Sequence, residues 1–212
     1  MLVANGPSLN QMDLRFLKNE TTIGLNKIYL GIKKFRFYPR YYVAINRKVI
    51  EQSISEINNL NCVKFLDIWA KESGLFQETA LTKFIKPIYN LSFSTNLTLG
   101  YQEGYTVTHA ALQIAYHLGF KKVILIGLDH RYSFEGQPNE SRIHQGPDQN
   151  HFCENYFGHG TAWDNPDLKN SEVFYRAARQ AYEDDGRRII DATLDGACPV
   201  FEKSNYREIF KR

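Results

Sequence analysis

The architecture of this chain is written most plainly in "TVTHAALQIAYHLGFKKVILIGLD", residues 106–129. Ala110, Ala111, Ile114, Ala115 and Leu118 recur at helical spacing, Thr106 and Thr108 stand at the helix start, and Gly119 is the residue a helix end favours. "VILIG" then runs apolar without alternation, as a strand covered on both faces does. A helix feeding a fully buried strand is the repeating unit of an α/β protein with a parallel sheet.

Outward from this unit the same pattern continues. Leu2-Val3-Ala4 reads as a first strand, followed by Asn5-Gly6-Pro7-Ser8 and a helical pattern through Leu9, Met12, Phe16 and Leu17, with Ser8 and Gln11 spaced as a capping box. Thr21–Leu25 reads as a strand ending at Asn26, and Tyr41–Ile45 as another ending at Asn46. Val63–Leu66 and Ile85–Tyr89 are further strand candidates. Beyond Asp129 a loop rich in Gly, Pro, Asn and His runs from about 130 to 170, far longer than an ordinary connection, so it is expected to act as a lid. A helix over Ser171–Asp184 and a strand over Arg188–Ala192 complete the chain. The expectation is a single Rossmann-like domain over residues 1–212, a doubly wound and mainly parallel sheet carrying a lid insertion.

Composition narrows the function. At 43% hydrophobic and 23% charged, with no low-complexity tract, the 212 residues should fold as a globular domain, and a net charge of +3 gives no reason to expect a nucleic-acid partner. Lys33, Lys34, Arg36, Arg40, Arg47 and Lys48 form the one basic cluster, which reads as a solvated face or as a surface for lipid head groups or a phosphorylated ligand. Cys62, Cys153 and Cys198 are odd in number and far apart, which argues against a disulfide framework. No apolar run reaches the ~18 residues of a membrane span and no signal peptide precedes Met1, so a cytoplasmic protein is expected, with membrane association at most peripheral.

In an open parallel sheet the ligand lies beyond the carboxyl ends of the strands. Those ends carry Asn5, Gly6, Pro7 and Ser8, then Asn26, Asn46 and Asp129. A helix behind Ser8 and another behind Thr106 and Thr108 would each offer free N–H groups to a phosphate, although the hydroxyls could serve only as caps. Amides at two successive strand ends suit a ligand with both donors and acceptors, such as a nucleotide base or ribose. G-x-G-x-x-G is absent, Asn26 stands where a ribose-binding carboxylate would be expected, and there is no Walker sequence.

The lid adds His130, Arg131, Tyr132, His144, Asp148, His151, Tyr156 and His159. Arg131 can hold a phosphate in a fork, and Tyr132 or Tyr156 can donate to a leaving oxygen. His159 lies in "NYFGHGTAW", residues 155–163, flanked by Gly158 and Gly160 and by three large aromatics. It is the candidate general base, with His151 as its competitor and a plain surface turn as the bland reading. No tight ligand spacing marks a metal site, so no metal ligand is assigned.

The order of NGPSL, two Asn-ended strands, a T-x-T-led helix, LGFKKVILIGLD and a late YFGHG resembles the MptE-like domain family, named from an archaeal 6-hydroxymethylpterin diphosphokinase. It is also similar to bacterial lipooligosaccharide sialyltransferases, over about residues 2 to 195. The sialyltransferase likeness implies a nucleotide-activated sugar of the CMP-sialic-acid kind as donor and a small molecule or glycan as acceptor, in surface-glycan synthesis. On that likeness Asn5, Gly6 and Ser8 grip phosphate and ribose, Asn26 and Asn46 contact the sugar nucleotide, and His159 deprotonates the acceptor. Arg131, with Tyr132 next to it, replaces a phosphate-binding tyrosine of that pattern, and Val107 stands in place of its helix-start serine. The pterin-kinase likeness implies ATP and magnesium at the same crevice, with Asp129 or Asp148 assisting the metal. A third reading keeps the crevice as a non-catalytic nucleotide-binding module.

Overall fold

The computed structural model describes residues 1–210. Eight strands form one sheet in which every neighbouring pair is parallel: β1 (Leu2–Val3), β2 (Ile23–Leu25), β3 (Tyr41–Ala44), β4 (Val63–Asp67), β5 (Thr82–Ile85), β6 (Lys122–Ile126), β9 (Arg188–Asp191) and β10 (Glu202–Lys203). Their order across the sheet is β10-β9-β6-β1-β2-β3-β4-β5. The chain winds outward from β1 in one direction, then returns to place β6 on its other side. The switch point of this doubly wound sheet therefore lies between β1 and β6, where Leu2 registers with Ile23 on one side and with Leu125 on the other.

Two short antiparallel strands, β7 (Ser141–Ile143) and β8 (Ala162–Asp164), form a separate small sheet inside the lid. The helices are α1 (Ile32–Phe35), α2 (Arg47–Glu51), α3 (Ile54–Asn59), α4 (Trp69–Glu72), α5 (Val107–His117), α6 (Leu168–Asp184) and α7 (Tyr206–Ile209).

Strand alternation sorts the core into two layers. Val123 and Leu125 of β6 and Leu2 of β1 face a cluster built with α5 and α6, while Ile124, Ile126 and Val3 face the short helices on the opposite side. α5 is buried almost all round, its Ala110, Ala111, Leu112, Ile114 and Ala115 fully so. That explains its apolar character: it lies on the sheet and under α6, whose Tyr182 hydroxyl donates to the Leu112 carbonyl at 2.8 Å.

Three expectations are corrected. The segment after Ser8 is not an α-helix but two 3-10 turns, Pro7–Gln11 and Arg15–Asn19, separated at Met12, whose backbone is extended. The Asp13 carboxylate starts the second turn by accepting from the Arg15 N–H, and the capping box does not form because Ser8 bonds elsewhere. The fifth strand is Thr82–Ile85, not Ile85–Tyr89, since Pro87 has no N–H to donate and leaves only an isolated bridge with Tyr101. α6 begins at Leu168, three residues ahead of Ser171, because Asp167 caps it by accepting from Asn170 N–H.

Candidate active site at the switch point

A crevice of about 810 Å³ opens beyond the carboxyl ends of β1, β2, β3 and β6 and is roofed by the lid. Asn5, Gly6, Asn26, Asn46, Thr106, Thr108, Asp129, Arg131, Tyr132 and Tyr156 all line it, so residues far apart in sequence meet at one site. Pro7, Ser8 and His159 are not part of the lining.

The floor is the contact between the loop after β1 and the end of β6. Asp129 accepts from the Ser8 N–H at 2.8 Å and from the Ser8 hydroxyl, and the Gly6 N–H donates to the Gly127 carbonyl at 2.9 Å. The anion met by the N–H group behind NGP is thus a carboxylate of the chain itself, and Ser8 is engaged with it. A Cβ on Gly6 would fall 2.1 Å from the Asp129 carboxylate oxygen, so only glycine permits this approach. Burial pushes the Asp129 carboxyl up from its ordinary range, opposed by the two Ser8 hydrogen bonds and the charge of Arg131.

The asparagines occupy their strand ends differently. The Asn5 side-chain amide donates to the Leu25 carbonyl at 3.0 Å and bridges β1 to β2, while its side-chain oxygen is buried without a hydrogen-bond partner. Asn26 holds a left-handed backbone (φ 44°), a conformation asparagine tolerates better than most residues, and its side-chain oxygen is also buried and unpartnered. Asn46 caps α2, accepting from the Val49 N–H at 3.1 Å.

Two long helices start at the crevice: α6, capped by the carboxylate of Asp167, and α5, which has no acidic residue in its first turn. Thr106 caps it by accepting from the Thr108 N–H at 3.2 Å, and both hydroxyl-bearing residues face the cavity together with exposed Arg131. This terminus carries a partial positive charge that attracts anions.

The lid is ordered by its contacts with the floor. The Phe152 N–H donates to the Asn5 carbonyl at 2.9 Å, Asn10 donates to the Phe152 carbonyl at 2.9 Å, and the Phe152 ring packs edge-on against Phe35 with centroids 5.1 Å apart. Gln52 donates to the Ala162 carbonyl at 2.8 Å, and Lys48 bonds both Asp164 and Ser141, which ties the small β7–β8 sheet to α2. Arg47 and Lys48 therefore belong to the crevice and its rim, not to a basic face shared with Lys33 and Lys34.

Under the lid stands a pair whose partnership the sequence did not reveal. His151 Nδ1 lies 2.9 Å from Asp148, whose other oxygen accepts from the Asn150 N–H at 2.8 Å. The imidazole stacks on Tyr156 with centroids 3.8 Å apart and an interplanar angle of 1°, and Phe157 meets it edge-on. The Tyr156 hydroxyl accepts from the Lys27 N–H, and the Lys27 ammonium, hydrogen-bonded to Gln52, sits over the Phe157 ring. Burial works to raise the Asp148 carboxyl, but the hydrogen bond from His151 and its charge hold it below its ordinary value. This arrangement fixes Nδ1 as the protonated nitrogen and leaves Nε2 as an acceptor at the crevice wall. A His and an Asp three residues apart are a weak signal in sequence; here they meet because the segment is coiled between two aromatic anchors.

His159 is exposed, and Gly160 beside it adopts φ 81° in an open turn. The glycines make that turn without delivering the ring to the crevice. His130 is buried against Glu172, and His144 bonds the Gly146 carbonyl. Carboxylates whose part in the crevice the sequence did not indicate include Asp67 and Glu103, which line it together with Arg47. Burial, and then the neighbouring Asp67 charge, raise the Glu103 carboxyl. Among the described residues no group of three His, Cys, Asp or Glu side chains is placed to hold a metal ion, and no helix is long and apolar enough to cross a membrane.

Comparison with known proteins agrees with this fold. The MAf glycosyltransferase from Magnetospirillum magneticum AMB-1 has a similar fold, with a TM-score of 0.57 at 15% identity, over 96% of this chain. This chain spans only 33% of that protein's length. No curated protein matches. The family described as 6-hydroxymethylpterin diphosphokinase MptE-like matches residues 1–135, which contain the sheet through β6 and the crevice floor. On that match, over more than half of its length, the chain belongs to the MptE-like family.

Proposed function

We propose that this protein is a nucleotide-dependent transferase, a glycosyltransferase that uses a nucleotide-activated sugar, of the CMP-sialic-acid kind, in surface-glycan synthesis. The observation that carries the reading is the aspartate-oriented His151 facing a crevice that also receives the start of α5. In the reaction, His151 Nε2 takes the proton of an acceptor hydroxyl as its oxygen bonds to the anomeric carbon. The bond from that carbon to the phosphate oxygen breaks, and the nucleotide leaves with the electron pair. Its charge is met by the α5 N-terminus, the Thr106 and Thr108 hydroxyls and Arg131. The unpartnered oxygens of Asn5 and Asn26 suit donors on the base or the ribose.

The family match favours a second reading, transfer of diphosphate from ATP to a hydroxymethyl group with magnesium. Asp129 would hold that metal. Its two oxygens already accept from Ser8, which favours the sugar-transfer reading. A thermal-shift panel of CMP, UDP, ADP and ATP, each with and without magnesium, separates the two. A ligand at 100 times its Kd stabilises by about 2.7 kcal/mol, roughly 5–10 °C in a domain of this size. A shift with CMP or UDP that needs no metal supports sugar transfer. A shift confined to ATP with magnesium supports the kinase, and no shift with any nucleotide overturns both.

A further inference from the structure

The lysines and arginines of this chain are segregated. Residues 13–40 hold seven of the 26 but only two of the 23 acidic residues, so the rest of the chain carries more acid than base. Both of those acids are engaged: Asp13 pairs with Arg15 at 2.6 Å, and Glu20 acts on the charge of the amino terminus. Lys27 is buried under the lid, and the other six cations are exposed.

Folding gathers them. Arg15 and Lys18, from the second 3-10 turn, meet Arg36 and Tyr38, from the end of α1, around a groove of about 610 Å³ that also includes Ile32 and Phe37. Lys33 and Lys34 stand on the same short helix, and Arg40 follows two residues after Tyr38. Tyr38 of the groove is 47% exposed, and Leu30, three residues ahead of Lys33 in the chain, is 42% exposed. The Tyr38 hydroxyl accepts from the Asn61 N–H at 2.6 Å, which leaves its ring on the surface in a fixed place. The 3-10 turn leads into β2 and Tyr38 into β3, so the groove lies at the amino edge of the sheet, at the opposite end from the crevice. The proposed transfer uses none of these residues.

We infer that this groove and its surrounding cations form a peripheral docking surface for an anionic lipid bilayer. Six exposed cations within one small region attract acidic head groups, and Tyr38 and Leu30 supply amphipathic and apolar contact at head-group depth. A nucleic-acid strand would need a track of cations with aromatic platforms along it, whereas here the charges surround a single groove with an aliphatic and two aromatic side chains. Docking by this edge leaves the crevice facing away from the bilayer.

Cosedimentation of the full chain with extruded vesicles tests the inference. Binding is expected to vesicles with about 30% phosphatidylglycerol in phosphatidylcholine at roughly 0.1 M salt, to be absent with phosphatidylcholine alone, and to collapse near 0.5 M salt. The triple variant Arg15→Gln, Lys18→Gln, Arg36→Gln should lose about 100-fold in partitioning, with unchanged Tm because all three side chains are exposed. Leu30→Ser should weaken binding without altering its salt dependence. The inference is overturned if the wild type ignores anionic vesicles or if the triple variant binds them equally. It is also overturned if inorganic phosphate releases the protein better than chloride at equal ionic strength, which would mark a discrete phosphate site. Binding to a single-stranded DNA oligonucleotide but not to vesicles, lost in the triple variant, would replace the bilayer with nucleic acid.

Discussion

His151 can act as a base because Asp148 takes its other nitrogen, so the acceptor lone pair stays on Nε2. His151→Ala is expected to lower turnover about 10²–10⁴-fold with nucleotide affinity little changed, and His159→Ala to leave turnover near wild type. Steady-state kinetics with nucleotide titration of both variants checks this; a loss confined to His159→Ala would return the role to the FGHG turn. Asp148 also links the pair to stability. Its folded pKa lies below its unfolded value, so its contribution is present above about pH 4 and is lost as pH falls through the folded value. Wild type should therefore lose more stability than Asp148→Asn between about pH 4 and pH 2 in denaturant titrations. Asn26 calls for a different substitution. Because its backbone is left-handed, Asn26→Gly removes the amide without strain and should weaken nucleotide binding by about 1–3 kcal/mol, measured by calorimetry. At this scale the sequence displayed the residue types, since asparagines at strand ends stand out by position. It could not distinguish His151 from His159, because orientation toward the crevice depends on contacts that Phe152 and Tyr156 make with Asn5 and Lys27, far along the chain.

Among the elements, the lid and the NGPS loop diverge most from local expectation. Phe152 anchors the lid on Phe35 of α1, and Phe152→Ala should cost about 3–5 kcal/mol of stability while raising hydrogen exchange across residues 130–167. Unaltered exchange in that segment would mean the β7–β8 ties to α2 suffice to hold it. Gly6→Ala tests the floor. The added carbon meets Asp129 and the Gly127 carbonyl, so a loss of about 1–3 kcal/mol is expected in thermal unfolding, with weaker nucleotide binding as Asp129 is displaced. The helix starting at Thr106 was readable because its spacing, cap and C-terminal glycine all agree. The segment after Ser8 was not, because its apolar spacing fits a helix while Ser8 donates to Asp129 and Asp13 accepts from Arg15.

For the whole molecule, metal dependence separates the two transfer reactions. Activity with a sugar-nucleotide donor should survive EDTA, since the helix start, two threonines and Arg131 can carry the phosphate charge. Loss in EDTA with recovery on adding magnesium would advance the diphosphokinase. The alternation of helix and apolar strand, the asparagines at strand ends and the length of the lid were all present in the sequence, and they determined a doubly wound parallel sheet with a crevice at the carboxyl ends. Those are properties of local periodicity and of the sheet's handed connections, which act within a few tens of residues. The tertiary structure alone decided that Asp129 takes the Ser8 groups expected to hold phosphate, that His151 and not His159 reaches the crevice, and that Arg15 and Lys18 join Arg36 on one edge. Each of these depends on side chains brought together from distant parts of the chain, and local sequence carries no record of which partner burial will put beside them.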